Sequence, residues 1–287
     1  MIIGENRKEV IENIKTFAES GQFHNKAETG DPVLSAEQMR KITESYLENR
    51  KHLSFKAKSA LGVFFAKAAT KIINRNTEIR GMEKIPRDLG GTLITSNHFG
   101  PLENTVIRHL ITKLGRRKLG IVSQASNFAM TGMIGFLMNY ADTIPISADS
   151  HYLARDFLSV LKECLVEKKQ AILLYPEQEM WFNYRKPRPP KSGAYFYAAK
   201  LNVPILSCFV EMVDLEEDDT EDFKKVKYVL HVLDVLYPDP EKSVRENTEE
   251  LGKKDYALKK ACYEDVYGKK LSYEFENSDI AGWKNKQ

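Results

Sequence analysis

His98 and Glu103 lie five residues apart in Thr92-Leu-Ile-Thr-Ser-Asn-His-Phe-Gly-Pro-Leu-Glu103, where an apolar run passes into a turn. Pro101 suits the first turn of a following helix. On one continuous helix, residues five apart point about 140° away from each other, so the two side chains could not meet there. With His98 at the strand end and Glu103 in the first helical turn, the carboxylate can fold back to one imidazole nitrogen. That pairing fixes the tautomer and stabilises the imidazolium formed when the other nitrogen takes a proton, which is general-base chemistry. The alternative is that Glu103 only favours a helix N-terminus and His98 is a hydrogen-bonded turn residue. A second apolar run, Ala171-Ile-Leu-Leu-Tyr-Pro-Glu177, ends on another carboxylate at a strand terminus, where α/β sheets place their ligands.

The elements that must position these residues are legible as a change of rhythm. Up to about Asn76 the pattern is helical, with 21–32 as a polar break and Ser35-Ala-Glu-Gln38 resembling a helix start with a capping box. From Gly91 short apolar runs alternate with helical stretches: Thr92 to Ser96, Leu119 to Ser123, Thr143 to Ile146, Ala171 to Tyr175 and Pro204 to Met212, with helices over Asp149 to Glu167 and Gly193 to Leu201. This predicts an α/β fold, a central mainly parallel sheet flanked by helices, with an N-terminal helical region. Lys225 to Tyr237 is expected to pair with Pro204 to Met212 as a hairpin around the acidic loop 216–222. Glu241 to Lys269 reads as a closing helix. The expected organisation is a helical region over 1–78, the α/β domain over 79–270 and a weakly ordered tail over 271–287.

Three segments in order resemble the glycerolipid acyltransferase family of 1-acylglycerol-3-phosphate acyltransferases. The family's Asn-His, four residues, then Asp, matches Asn97-His98 and Glu103. Its Phe-Pro-Glu-Gly-Thr-Arg-Ser matches Tyr175-Pro-Glu-Gln-Glu-Met-Trp181, and its Val-Pro-Ile matches Val203-Pro-Ile. The resemblance spans about Arg80 to Val213 and implies acyl transfer to a hydroxyl, with His98 and Glu103 catalytic and Asn97 and Glu177 at the acceptor. Glu103 is one methylene longer than the usual Asp. The stretch that matches the family's second motif, Thr143-Ile-Pro-Ile-Ser147, lacks the Arg that would meet the acceptor's phosphate, and the Gly-Thr-Arg-Ser portion of the third is replaced. Substitute cations follow in a Pro-stiffened loop, Arg185, Lys186, Arg188 and Lys191. They could bind an acceptor phosphate, or the phosphates of coenzyme A or of a carrier protein's pantetheine arm, the other reading being a solvated basic loop.

Composition bounds the partners. Of 287 residues, 42% are apolar and 43 Lys+Arg face 40 Asp+Glu, which excludes a disordered chain and a strongly basic nucleic-acid binder. Cys164, Cys208 and Cys262 are odd in number and far apart, against a disulfide framework or a Cys-based zinc site, and a reducing cytoplasm is the expected compartment. No export signal is read at the N-terminus, and the uncharged run between Lys118 and Asp142 is too polar to be called transmembrane. Leu61, Phe64, Phe65, Ala68 and Ile72 share one helical face, with seven cations and no acid between Glu48 and Glu78. That is the pattern of a helix lying on an anionic membrane, here the inner face of the cell membrane, although a core-packed helix shows the same stripe. Met130, Met133, Phe136, Leu137 and Met138 could wall an acyl-chain pocket, each buried CH₂ contributing about 0.8 kcal/mol, the other reading being ordinary core packing. No metal or bound cofactor is expected, the acyl thioester of coenzyme A or of a carrier protein being a substrate. No serine lies in a Gly-x-Ser-x-Gly elbow, which argues against a covalent hydrolase. The function expected is O-acyl transfer from a thioester to a lysophospholipid hydroxyl, the alternatives being a glycolipid or polymer hydroxyl, or a non-catalytic lipid-binding protein of the same fold.

Overall fold

The computed structural model describes residues 6–30, 32–115 and 118–284. Asp31 in the polar break and residues 285–287 of the expected tail lie outside the described residues. Three helices come first, α1 (Arg7–Glu19), α2 (Ala36–Asn49) and α3 (Leu53–Ile73). The expected capping box opens α2: the Ser35 hydroxyl accepts from Gln38 N–H at 3.2 Å, and the Gln38 side chain accepts from Ser35 N–H at 2.8 Å. The rest of the chain is β1 (Glu78–Arg80), β2 (Thr92–Thr95), α4 (Asn104–Lys113), β3 (Leu119–Gln124), α5 (Gly132–Tyr140), β4 (Thr143–Ile146), α6 (Leu158–Lys162), β5 (Ala171–Leu173), α7 (Gly193–Leu201), β6 (Ile205–Asp218), β7 (Lys224–Leu236) and α8 (Val244–Tyr267). Turns of π-helix, Tyr152–Phe157 and Glu163–Glu167, extend α6 to nearly the expected length.

The seven strands form one sheet in the order β1-β7-β6-β2-β5-β3-β4. The five from β6 to β4 are mutually parallel, and β7 runs antiparallel to β6 as the expected hairpin. Central β2 is buried along its whole length because both faces are covered: Ile94 joins α4's Val106, Ile107 and Leu110 on one side, and Leu93 joins Leu161, Ala198 and Leu251 on the other. The acidic loop is shorter than the sequence suggests. Glu216 and Glu217 remain in β6, each paired across the hairpin, with Lys224 at 3.2 Å and Lys225 at 2.6 Å.

Two expectations change. The tail over 272–284 is packed: Ile280 is fully buried with α1, Trp181, Tyr184 and Phe223 in a third apolar cluster, while Ala281 is fully buried in the cluster of Ile94 and Leu110, its N–H donating to the Asn183 carbonyl at 2.9 Å. The N-terminal region therefore divides, α1 closing that cluster while α3 lies against α4 and α5. On α3 the buried positions are Gly62 and Thr70, whereas Leu61, Phe64, Phe65 and Ile72 point outward, Phe64 at 64% exposure. The stripe is thus a surface face and not a core face. In the methionine-rich segment Met133 is exposed, while Met130, Phe136, Leu137 and Met138 are half-buried.

Candidate active site

The chain order of the strands makes the site. β2 connects through α4 to β3, passing over β5, and β5 connects through α7 to β6, passing back over β2. Neighbouring strands whose connections leave in opposite directions open a crevice at their C-terminal ends, where open α/β sheets bind ligands. His98 emerges there from β2, and Tyr175 and Glu177 from β5.

Pro101 sits in a turn and the helix starts only at Asn104, so Glu103 precedes α4 and does not belong to its first turn. Its buried carboxylate folds back, accepting from the Phe99 and Gly100 N–H groups through one oxygen and holding His98 Nδ1 with the other. An ionised carboxylate only accepts, so Nδ1 carries the proton and Nε2 is left with its lone pair. The imidazole keeps 20% of its surface open. The predicted pairing of His98 with Glu103 is therefore present in the folded chain. Behind it, Thr95 of β2 donates at 2.9 Å to Asp255 of α8, a fully buried carboxylate that also accepts from Tyr195, Ser207 and Lys259. This network ties the strand that carries His98 to three other elements.

The residues expected to bind substrate are mostly committed to the protein itself. Asn97 pairs with the backbone of Val210, donating at 3.0 Å and accepting at 2.8 Å, and so extends the β2–β6 ladder beyond the end of β2. Glu177 is buried with both oxygens engaged: one accepts from Arg188 N–H at 3.0 Å, the other from His98 N–H at 3.2 Å and from the Arg188 guanidinium at 3.0 and 3.2 Å. Arg188, 2% exposed, also donates to the Phe23 carbonyl at 2.8 Å and lies over the Trp181 ring. Burial pulls the Arg188 guanidinium below its usual range, against the raising effect of Glu177. Lys186 is buried 2.7 Å from Asp279, and Arg185 is held by Asp214 and the Ser278 carbonyl. The loop thus does not present these three cations to solvent, because acids and carbonyls distant in sequence close over them. Lys191 is exposed, and among the described residues its ammonium has no ion pair.

Departures from the family's third motif have local explanations. Gln178 stands where the motif has Gly and adopts φ 67°, a left-handed conformation that costs an L-residue about 1 kcal/mol. Trp181 stands where the motif ends in Ser; it is fully buried and donates through Nε1 to the Asn25 carbonyl at 2.9 Å, anchoring the N-terminal segment over this loop. Sequence reasoning missed Tyr175 as a site residue. Its ring stacks on His98, with centroids 4.1 Å apart and an interplanar angle of 7°. The only one-dimensional signal was Tyr in place of the motif's Phe.

Residues 76–211 match the model of the family described as Acyltransferase. The fold is similar to the crystal structure of the 1-acyl-sn-glycerophosphate (LPA) acyltransferase PlsC from Thermotoga maritima, with a TM-score of 0.52 and 18% sequence identity over 82% of this chain and 96% of that one. No curated protein matches the sequence.

Proposed function

From a chain that belongs to the acyltransferase family, we propose an enzyme that moves a fatty acyl group from a thioester to a hydroxyl of a lysophospholipid, such as 1-acylglycerol-3-phosphate, with His98 as general base. The observation that carries this reading is the His98–Glu103 pair in the crevice between β2 and β5, its Nδ1 held by the carboxylate and its ring partly open. The acceptor hydroxyl gives its proton to Nε2 as its oxygen attacks the thioester carbonyl carbon. The Glu103 charge stabilises the resulting imidazolium. The tetrahedral adduct then collapses, the C–S bond breaks, and the imidazolium returns the proton to the departing thiolate, leaving an ester and a thiol. General-base help of this kind contributes roughly 10²- to 10⁴-fold.

Lys191 is the loop cation left to meet a phosphate of donor or acceptor. The donor is an acyl thioester of coenzyme A or of a carrier protein. The uncovered face of α3 supports contact with an anionic membrane, on the cytoplasmic side, with Phe64 and Phe65 entering the headgroup boundary; no helix among the described residues is long and apolar enough to cross a bilayer. One observation favours a second acceptor class, a glycolipid or polymer hydroxyl: Arg185, Lys186 and Arg188 are consumed in ion pairs, which leaves less positive charge for a phosphate headgroup.

Purified protein given acyl-CoA and a set of lysophospholipid and glycolipid acceptors, with thiol release and product masses recorded, tests the proposal. His98→Ala should abolish transfer with an unchanged melt. Glu103→Gln should retain more activity than His98→Ala, because the amide can orient the ring but cannot stabilise its charge. Near-native turnover by His98→Ala would remove His98 from the mechanism.

A further inference from the structure

Tyr175 does more than fill space beside His98. Its ring is stacked on the imidazole, and its body packs against the apolar cluster beneath the site. Its hydroxyl is buried, with no hydrogen-bond partner of good geometry among the described residues. A buried hydroxyl without a partner is costly, and such groups in native structures call for an explanation. The nearby charge is Glu103: burial first, and then the Glu103 carboxylate, push the Tyr175 hydroxyl well above the usual tyrosine range. Among the described residues the Glu103 oxygen facing His98 has one hydrogen-bonded donor, His98 Nδ1, and a carboxylate oxygen can accept two.

We propose that Tyr175 is a positioning residue of the His98–Glu103 pair, its ring fixing the plane of the imidazole and its hydroxyl donating to the Glu103 carboxylate as the pair works. This rests on the His98 reading above. The hydroxyl is what the family's Phe at this position lacks. Its consequence is electrostatic: a donor to Glu103 spreads the carboxylate charge and weakens its hold on the imidazolium, so His98 stays neutral, and competent as a base, to lower pH. Glu177 and Arg188 also face this pair, through the His98 N–H and carbonyl, as does Tyr228, whose hydroxyl is pushed up to about 12 by burial and by Glu103. None of them changes when the Tyr175 hydroxyl alone is removed.

The test is Tyr175→Phe, which keeps the ring and restores the motif's residue. Two measurements are made: the pH profile of kcat/KM with acyl-CoA and 1-acylglycerol-3-phosphate, and the midpoint of the His98 ring-proton titration by NMR, assigned by its loss in His98→Gln. Both the acid limb and the midpoint should move to higher pH by about half a unit, a roughly threefold fall in kcat/KM on that limb. In a Glu103→Gln background the same substitution should leave the midpoint where it was, since the charge it acts through is gone. A midpoint unmoved or lowered by Tyr175→Phe, or a shift that persists without Glu103, overturns the proposal. The NMR midpoint needs no turnover, so an absence of acyl transfer would overturn the functional reading and leave this coupling to be decided on its own.

Discussion

Replacing Arg188 by Met separates a structural cation from a substrate-binding one. The side chain is 2% exposed, and its guanidinium meets Glu177, the Phe23, Glu179 and His98 carbonyls, and the Trp181 ring. Met matches much of its volume but leaves the Glu177 carboxylate buried with two backbone N–H groups as its remaining donors, those of His98 and of residue 188. Removing one partner of a buried ion pair costs about 3–5 kcal/mol, chiefly because the other charge is stranded. At about 2–4 °C per kcal/mol for a chain of this size class, the melt should fall by roughly 6–20 °C. Adding Glu177→Gln removes the stranded charge, so the double variant should melt above Arg188→Met alone. Differential scanning calorimetry on the unaltered protein and the two variants, beside kcat and KM measured well below their melts, is the assay. A melt unchanged in Arg188→Met, with a raised KM for a phosphate-bearing substrate, would refute the structural role and return Arg188 to the surface of the loop.

Phe64→Ser with Phe65→Ser should weaken binding to anionic vesicles while leaving the melt within about 1 °C, since exposed side chains contribute little to folding; a collapsed melt in circular dichroism would place these rings in the core. Residual binding should decline as salt rises, exposed charges being screened over about 8 Å at physiological ionic strength. Gly91→Ala should yield little folded protein, because the added Cβ would lie 1.7 Å from the Leu165 carbonyl oxygen; a normal yield and melt would contradict that packing.

Much of the fold was legible because its signals are local. The alternation of short apolar runs with helices between residues 92 and 236 follows from one central sheet buried on both faces, and Ser35 and Gln38 cap a helix within four residues. The His98–Glu103 pairing was legible for the same reason: five residues of turn suffice to bring the two groups together. The fate of the loop cations was not. Arg188, Lys186 and Arg185 look free in sequence, and their partners Glu177, Asp279 and Asp214 stand 11, 93 and 29 residues away, reached only once β5, the tail and the β6–β7 hairpin have packed around the loop. The apolar stripe of α3 was equally consistent with core or surface, because periodicity says which side chains share a face and not what lies opposite it. The sequence by itself determined the alternation of elements and the residues able to form a His–carboxylate base. Only the tertiary structure decided that Asn97 pairs with the Val210 backbone and Glu177 with Arg188, that Tyr175 lies on His98, and that α3 faces outward, since each depends on contacts between segments whose relative placement no local pattern encodes.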